Sequence, residues 1–341
     1  MKISILIPAH NEERSIEATI WSCLNQTRKA DQILVVDDGS TDKTGEILSS
    51  FGDQIDVVTI TTATGNKSHA QEQGRKHITG HDMSATDEDT MMDENIVKFI
   101  EEEIQKENVT AVAGYVRSKK YNWITACRAF EYAVGQNLHK LAQHNIGFLF
   151  VIPGAAGAFR TKVFNESVGF DHDTLTEDLD FTYRLHKSGF KVFYDRRAVV
   201  FTQDPLTVRQ YVNQMRRWFG GGWQCLKKHY SLAAQSPQAA LELSLMYMEG
   251  LAFSVLLFVL PMLSLRFYFT LIVSYLLTAT AFALFASLKE RRIELLFIPF
   301  PYLFIIYIHS YVFLEQFVKE IVLRRKNLVW FKPDRIEAQT P

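Results

Sequence analysis

The sequence predicts an α/β domain followed by an all-α, membrane-embedded tail. Three observations carry that prediction. Short apolar runs alternate with charged helical patterns up to about residue 240, the chain then loses its charges over three long stretches, and two early apolar runs end in carboxylate-rich loops. Of the 341 residues, 47% are hydrophobic and 22% charged, values that exclude disorder, collagen and low-complexity arrays. With 37 basic and 38 acidic residues the net charge is −1, so there is no basic footprint to neutralise a run of phosphates and nucleic acid is not an expected partner. Cys23, Cys127 and Cys225 are odd in number and far apart, which argues against a disulfide framework and a structural zinc site and places the polar portion in a reducing compartment.

Taken in order, the chain opens on KISILIP with no visible signal peptide or amino-terminal anchor, so the first 240 residues are expected to be cytosolic. ISILIP reads as a strand ending in Pro8. In AHNEERSIEATIWSCL the residues Ile16, Ile20, Cys23 and Leu24 recur at helical spacing. QILVVDDGSTDKT repeats the unit, with a buried-type strand from Ile33 to Val36, Asp37 and Asp38 at its carboxyl end, and a Gly39-Ser40-Thr41 turn. In an open α/β sheet ligands bind outside those carboxyl ends, so the two loops predict the floor of a nucleotide site. The GxGxxG fingerprint is missing after the first strand, which disfavours ordinary dinucleotide binding.

GNKSHAQEQG then places Lys67 in a glycine-flanked stretch suited to a phosphate or to neighbouring acidic charge. HDMSATDEDTMMDE holds six carboxylates in thirteen positions, Asp82, Asp87, Glu88, Asp89, Asp93 and Glu94, which repel one another unless water or a cation screens them. Asp87 and Asp89 leave the same face of an extended loop, and hard divalent cations take such oxygens. A solvated acidic loop is the competing reading. PGAAGAFR, residues 153–160, supplies small residues that permit close approach. TLTEDLDFTYRLHKSGF puts Glu177 and Asp178 at the start of an amphipathic helix, where the macrodipole alone also favours acidic residues. In QMRRWFGGGWQ, Gln214, Arg217 and Trp218 stand at relative positions zero, three and four on one helix face, where an arginine and an indole can hold a diphosphate and stack on a sugar.

The tail begins near residue 241. Phe267 to Leu288 are uncharged, long enough at about 1.5 Å per residue to cover a bilayer's hydrocarbon, and Gly250 to Leu265 and Leu295 to Leu314 also lack charges. Buried core helices are the alternative, but three such stretches so close together exceed what a soluble core needs. Two or three crossings are expected, with KERR at Lys289 to Arg292 on the inner side. Residues 206–240 read as interfacial helices and 321–341 as an interfacial or cytosolic tail, anchored by Trp330 and Lys332 to Arg335.

PAHNEE, DDGSTD, GNKSHA, TDEDT, GAAGAFR, TED and QMRRW stand in the order found in the family 2 inverting glycosyltransferases of the membrane synthase type. Among these the chain most resembles bacterial poly-N-acetylglucosamine synthases, with hyaluronan, chitin, cellulose and chitooligosaccharide synthases as cousins. The resemblance implies a GT-A fold over residues 1–205, a UDP-sugar donor, Mg2+ or Mn2+, and a glycan or lipid-linked acceptor at the plasma (inner) membrane. Position by position it implies that Pro8, Glu12, Asp38, Lys67 and Asp87 line the nucleotide-sugar site. Asp89, with Asp87, would hold the metal. Asp178 would be the general base, with Glu177 beside it and Arg217 on the diphosphate, and Gln214, Trp218 and Gly157 would frame the acceptor. Three features depart from the pattern: DMSAT is more polar than the strand expected ahead of the metal site, no membrane helix of the kind processive members commonly carry is visible ahead of the catalytic domain, and three tail segments are few for a polysaccharide channel. Oligomerisation, or a short or lipid-linked product, would answer the third, and a homo-oligomer or an accessory secretion subunit is the partner to expect. The alternatives are a polyprenyl-phosphate glycosyltransferase and a non-catalytic subunit that binds nucleotide sugar.

Overall fold

The structure, a computed structural model, describes residues 2–65, 67–165, 169 and 171–326. The anchor expected at Trp330 and Lys332 to Arg335 lies outside the described residues. Over the described residues the chain divides into two units, one made of residues up to Arg117 with Gly147–Gln203, the other of Ser118–Ile146 with 204–326. The segment 118–146 therefore groups with the carboxyl-terminal helices, although it is embedded in the α/β sequence.

In the first unit, strands buried on both faces need near-continuous apolar runs, and β1 (Ile3–Ala9) and β2 (Gln32–Asp38) supply them. They are followed by β3 (Asp56–Ile60) and β4 (Asp82–Ala85). β1 pairs in parallel with β2 and with β4, and β2 with β3, the crossovers carrying helices Ile16–Leu24, Thr44–Ser50 and Lys67–Arg75. β5 (Thr90–Met92), β6 (Ala111–Ser118), β7 (Gly157–Arg160) and β8 (Val192–Thr202) complete an eight-stranded sheet of order β3-β2-β1-β4-β7-β6-β8-β5. β7 runs antiparallel to β4 and β6, and β5 antiparallel to β8. Strand order reverses between β1 and β4, which opens a crevice beyond their carboxyl ends. The helix Lys67–Arg75 lies close on the sheet because Gly74 has no Cβ, which would stand 2.5 Å from Leu6 and 2.7 Å from Val36. Phe159 and Phe181 meet edge to face at 4.8 Å and hold the helix Glu177–Lys187 on the same core.

The polar approach DMSA is itself the buried strand β4. Met83 and Ala85 enter the core, while Asp82 and Ser84 take the alternate face. Asp82 stands at the amino end of the strand, opposite Arg160, and both its carboxylate oxygens are buried without a hydrogen-bond partner among the described residues. The six-carboxylate group of the sequence is thus split. Asp82 is at one end of β4, Asp87, Glu88 and Asp89 follow the other, and Asp93 accepts from the Asn95 N–H (3.1 Å) ahead of the helix Ile96–Ile104.

The second unit is helical. Trp123–Val134 passes through a π-helical turn, Gly135–His139, into Lys140–Ile146, and Val208–Lys228 carries QMRRW. Two helices among the described residues, Pro237–Leu263 and Leu265–Glu290, are long and apolar enough to cross a membrane. The third uncharged stretch forms the helix Pro299–Phe317. Outward side chains of the first two, such as Met262, Phe267 and Leu277, are exposed.

Burial outweighs the attraction of Arg160 and pushes the Asp82 carboxyl up to about 6. A carboxyl raised in the folded state favours folding while it is protonated, and that contribution is lost as pH rises from its unfolded value through about 6. Asp82→Asn is therefore expected to raise the melting temperature at pH 7.5 by a few degrees and to flatten its fall between pH 4 and pH 7.5, read by circular dichroism in detergent.

Candidate active site

The loops after β1 and β2 are bonded to each other. Asn11 takes a left-handed backbone (φ 54°), donates its N–H to Ser40 Oγ (3.0 Å) and accepts from the Thr41 N–H (2.7 Å). The Glu12 N–H donates to Thr44 Oγ1 (2.8 Å) and the Glu13 N–H to Asp42 (3.1 Å). Gly39 completes the turn at φ 65°, where a Cβ would stand 2.5 Å from the Ala63 nitrogen. PAHNEE and DDGSTD are thus two halves of one interlocked floor. Pro8 is buried in β1, and both carboxylate oxygens of Asp38 accept from Thr64, from its N–H at 2.9 Å and its hydroxyl at 2.7 Å.

Beyond β4 the chain brings Asp87, Glu88 and Asp89 to the crevice. Helix Ile16–Leu24 holds this loop through the Thr19 hydroxyl, which donates to the Glu88 carbonyl (2.9 Å). Asp89 is buried and accepts from the Thr90 hydroxyl (3.1 Å). Lys67, at the start of its helix, bonds Asp87 and lies 3.8 Å from Glu177 Oε1. Burial opposes its charge, but Asp87, Glu177 and Glu88 together hold the ammonium above its ordinary range. Glu88 shows the reverse: burial and then the charges of Glu12, Asp89 and Asp87 push its carboxyl up to about 8, against the pull of Lys67. The site carries surplus negative charge.

Glu177 and Asp178 begin the helix Glu177–Lys187. Asp178 Oδ1 accepts from the Leu179 N–H (2.8 Å) and Oδ2 from the Gly154 N–H (3.2 Å), so two backbone donors fix the carboxylate. A Cβ on Gly154 would stand 3.1 Å from Lys67 Nζ and 3.8 Å from Asp178 Oδ2, which puts GNKSHA, PGAAG and TED around one point. A small cavity beside it is lined by Gln71, Ala85, Ile152, Gly154, Glu177 and Asp178. Gly157, the expected acceptor residue of this stretch, lies inside the sheet, where a Cβ would stand 2.8 Å from Phe159 and 2.9 Å from Ile152; Gly154 is the glycine that faces the carboxylates. Two residues of the site had no role in the sequence reading. Glu88 was visible as the middle carboxylate of TDEDT, whereas Gln71, whose buried amide oxygen has no hydrogen-bond partner among the described residues, gave no signal beyond its place one turn after Lys67.

In the second unit, Gln214 is buried with no partner on its amide oxygen among the described residues, and Arg217 and Trp218 are half-buried on the same helix.

Among the described residues no group of three or more His, Cys, Asp or Glu side chains is gathered closely enough to hold a metal ion by itself. Two carboxylates suffice for magnesium when substrate phosphates and water complete its shell. The hard-oxygen set of Asp87 and Asp89, within the surplus negative charge recorded by Glu88, fits that requirement.

Several known proteins resemble this chain. The family model described as Glycosyl transferase family group 2 matches residues 85–307. A poly-beta-1,6-N-acetyl-D-glucosamine synthase of Staphylococcus epidermidis is 26% identical over 231 residues, 67% of this chain and 56% of that protein. The probable glycosyltransferase YdaM of Bacillus subtilis is 27% identical over 230 residues, 64% of this chain and 55% of that protein. The chain spans little more than half the length of these relatives. Among solved structures, the mannosyltransferase PcManGT from Pyrobaculum calidifontis, in complex with GDP-Man and Mn2+, has a TM-score of 0.66 at 18% identity, covering 94% of this chain and 87% of that one, which shows a shared GT-A fold.

Lys67→Met removes the ammonium between Asp87 and Glu177. Glu88, already raised to about 8, loses the cation that pulls against that rise, so the loss of stability is expected to be large at pH 8, to shrink toward pH 5 where Glu88 is protonated, and to be partly recovered by millimolar Mg2+ or Mn2+. Thermal unfolding of the variant and the parent at both pH values checks this.

Proposed function

The chain belongs to glycosyl transferase family group 2 and is a glycosyltransferase, and we propose that it is a membrane-bound inverting enzyme that moves a sugar, of the N-acetylglucosamine type, from a UDP-sugar to a growing glycan. The observation that carries this reading is the convergence of Lys67, Gly154, Glu177 and Asp178 around one point beside the acidic loop. Asp178 is the general base. Its carboxylate, oriented by the Gly154 and Leu179 N–H groups, accepts the proton of the acceptor hydroxyl. The acceptor oxygen then bonds the anomeric carbon from the side opposite the diphosphate, the carbon–oxygen bond to the diphosphate breaks with its electron pair leaving on UDP, and the centre inverts. One carboxylate is enough for this, because no covalent sugar intermediate forms, in contrast to retaining hydrolases. Glu12 and Asp38 shape the uridine floor. Lys67 balances Asp87 and Glu177; the roles of Arg217 on the diphosphate and of Gln214 and Trp218 at the acceptor rest on the motif QMRRW alone. Mg2+ or Mn2+, held by Asp89 and Asp87 when bound, would neutralise the leaving diphosphate.

Membrane attachment is supported by the exposed apolar helices Pro237–Leu263 and Leu265–Glu290. The plasma (inner) membrane with a cytosolic catalytic domain is the setting in which a UDP-sugar is at hand. The same two helices are few for enclosing a long chain, which favours, as a second reading, transfer to a polyprenyl phosphate.

Membranes containing the protein, given a panel of radiolabelled nucleotide sugars with and without Mg2+, Mn2+ or chelator, test these readings together. The expected result is incorporation from UDP-N-acetylglucosamine into a ladder of oligomers, abolished by chelator; a charged-lipid monosaccharide supports the second reading. Asp178→Asn is expected to lower turnover at least about a hundredfold with donor binding nearly unchanged. Unaltered turnover would remove Asp178 from the role of base.

A further inference from the structure

We propose that Arg128 is a positioning residue that fixes the indole of Trp218 and, with Glu131, clamps the QMRRW helix at two points. This rests on the reading that Trp218 frames the acceptor. The helix Trp123–Val134 starts on a capping box in which Asn122 Oδ1 accepts from the Thr125 N–H while the Thr125 hydroxyl accepts from the Asn122 N–H, and this sets where Arg128 and Glu131 fall. Three residues apart, they share a face.

The Arg128 side chain is only 3% exposed and its guanidinium lies 4.7 Å from the centre of the Trp218 ring. Its N–H groups are directed elsewhere: Nε donates to Asp204 Oδ1 (3.2 Å), Nη2 to the Tyr132 hydroxyl (2.8 Å), and Nη1 pairs with Glu131. A planar fork held along three edges has one orientation, so the ring it lies over has one seat. A lysine ammonium at the same place would supply the charge and no plane. Glu131 Oε1 in turn accepts from the Tyr211 hydroxyl (2.9 Å), which also bonds His309. Tyr211 lies two turns before Trp218 on the same helix face, with Gln214 between them. Arg128 meets the last residue of the motif and Glu131 holds the helix at Tyr211, about one turn before it, while Trp218, only half-buried, keeps part of its indole open.

Buried ionic networks of this kind contribute little net stability relative to apolar packing, so a positional role accounts for one here. Arg128→Lys is the informative change because it keeps the charge that balances Glu131 and Asp204, whereas an apolar replacement would leave them buried and unpaired. With UDP-N-acetylglucosamine as donor and an N-acetylglucosamine tetramer as acceptor, R128K is expected to raise the acceptor KM about tenfold and to leave the donor KM within about twofold. In a W218F background it should add nothing further. A simple loss of folded enzyme would lower kcat and move neither KM. An unchanged acceptor KM in R128K, where W218F alone raises it, overturns the proposal. If W218F leaves the acceptor KM unchanged, the acceptor role of Trp218 fails instead, and the positional claim is decided by fluorescence. The emission lost on Trp218→Phe should be red-shifted and more open to acrylamide quenching in R128K than in the parent, and identical behaviour in both overturns it.

Discussion

Carboxylates crowd the carboxyl ends of β1 and β4, and the ammonium of Lys67 stands among them; the site is organised around that imbalance. Burial alone would discharge Lys67, yet Asp87, Glu177 and Glu88 hold it protonated. The same neighbours leave Glu88 short of compensation, so that it resists ionisation up to about pH 8. A pocket in this state gains from anything that brings positive charge with it, which suits a nucleotide diphosphate arriving with a divalent ion.

Holding such charges together requires a frame that does not relax. The parallel strands supply it, since β1 is buried along its whole length and its register against β2 and β4 is fixed by apolar packing on both faces. The loops that leave those strands are bonded to one another through Asn11, Ser40, Thr41 and Thr44 rather than left to solvent. Asp178 is fixed differently. Its helix start places one backbone donor on each side of the carboxylate, one from its own helix and one from the glycine stretch.

The helical unit solves a related problem with other means. Its two long helices expose apolar side chains, while its interior keeps Arg128, Glu131, Asp204, Tyr211 and His309 linked to one another. Polar contacts within an apolar surround are strongly directional because no water competes for them. That directionality is what an indole with two rotatable bonds needs if it is to present the same surface at every turnover.

Much of this was legible in the residues. The apolar runs ISILIP and QILVV, ending in carboxylates, determined two parallel strands with a ligand floor, because period and burial are local properties of a strand. The ordered motifs determined the family, and the uncharged stretches determined the helical tail. Sequence spacing could not determine which carboxylates meet. Asp82 and Asp87 are close in the chain yet occupy opposite ends of a strand, while Lys67 and Glu177, over a hundred positions apart, come within 3.8 Å. Nor could it separate Gly154 from Gly157, since small size is common to both and only the sheet decides which one faces the charges. Arg128 was invisible for the same reason: a helix records its own faces in its sequence, but the partner that each face meets is chosen by the tertiary packing.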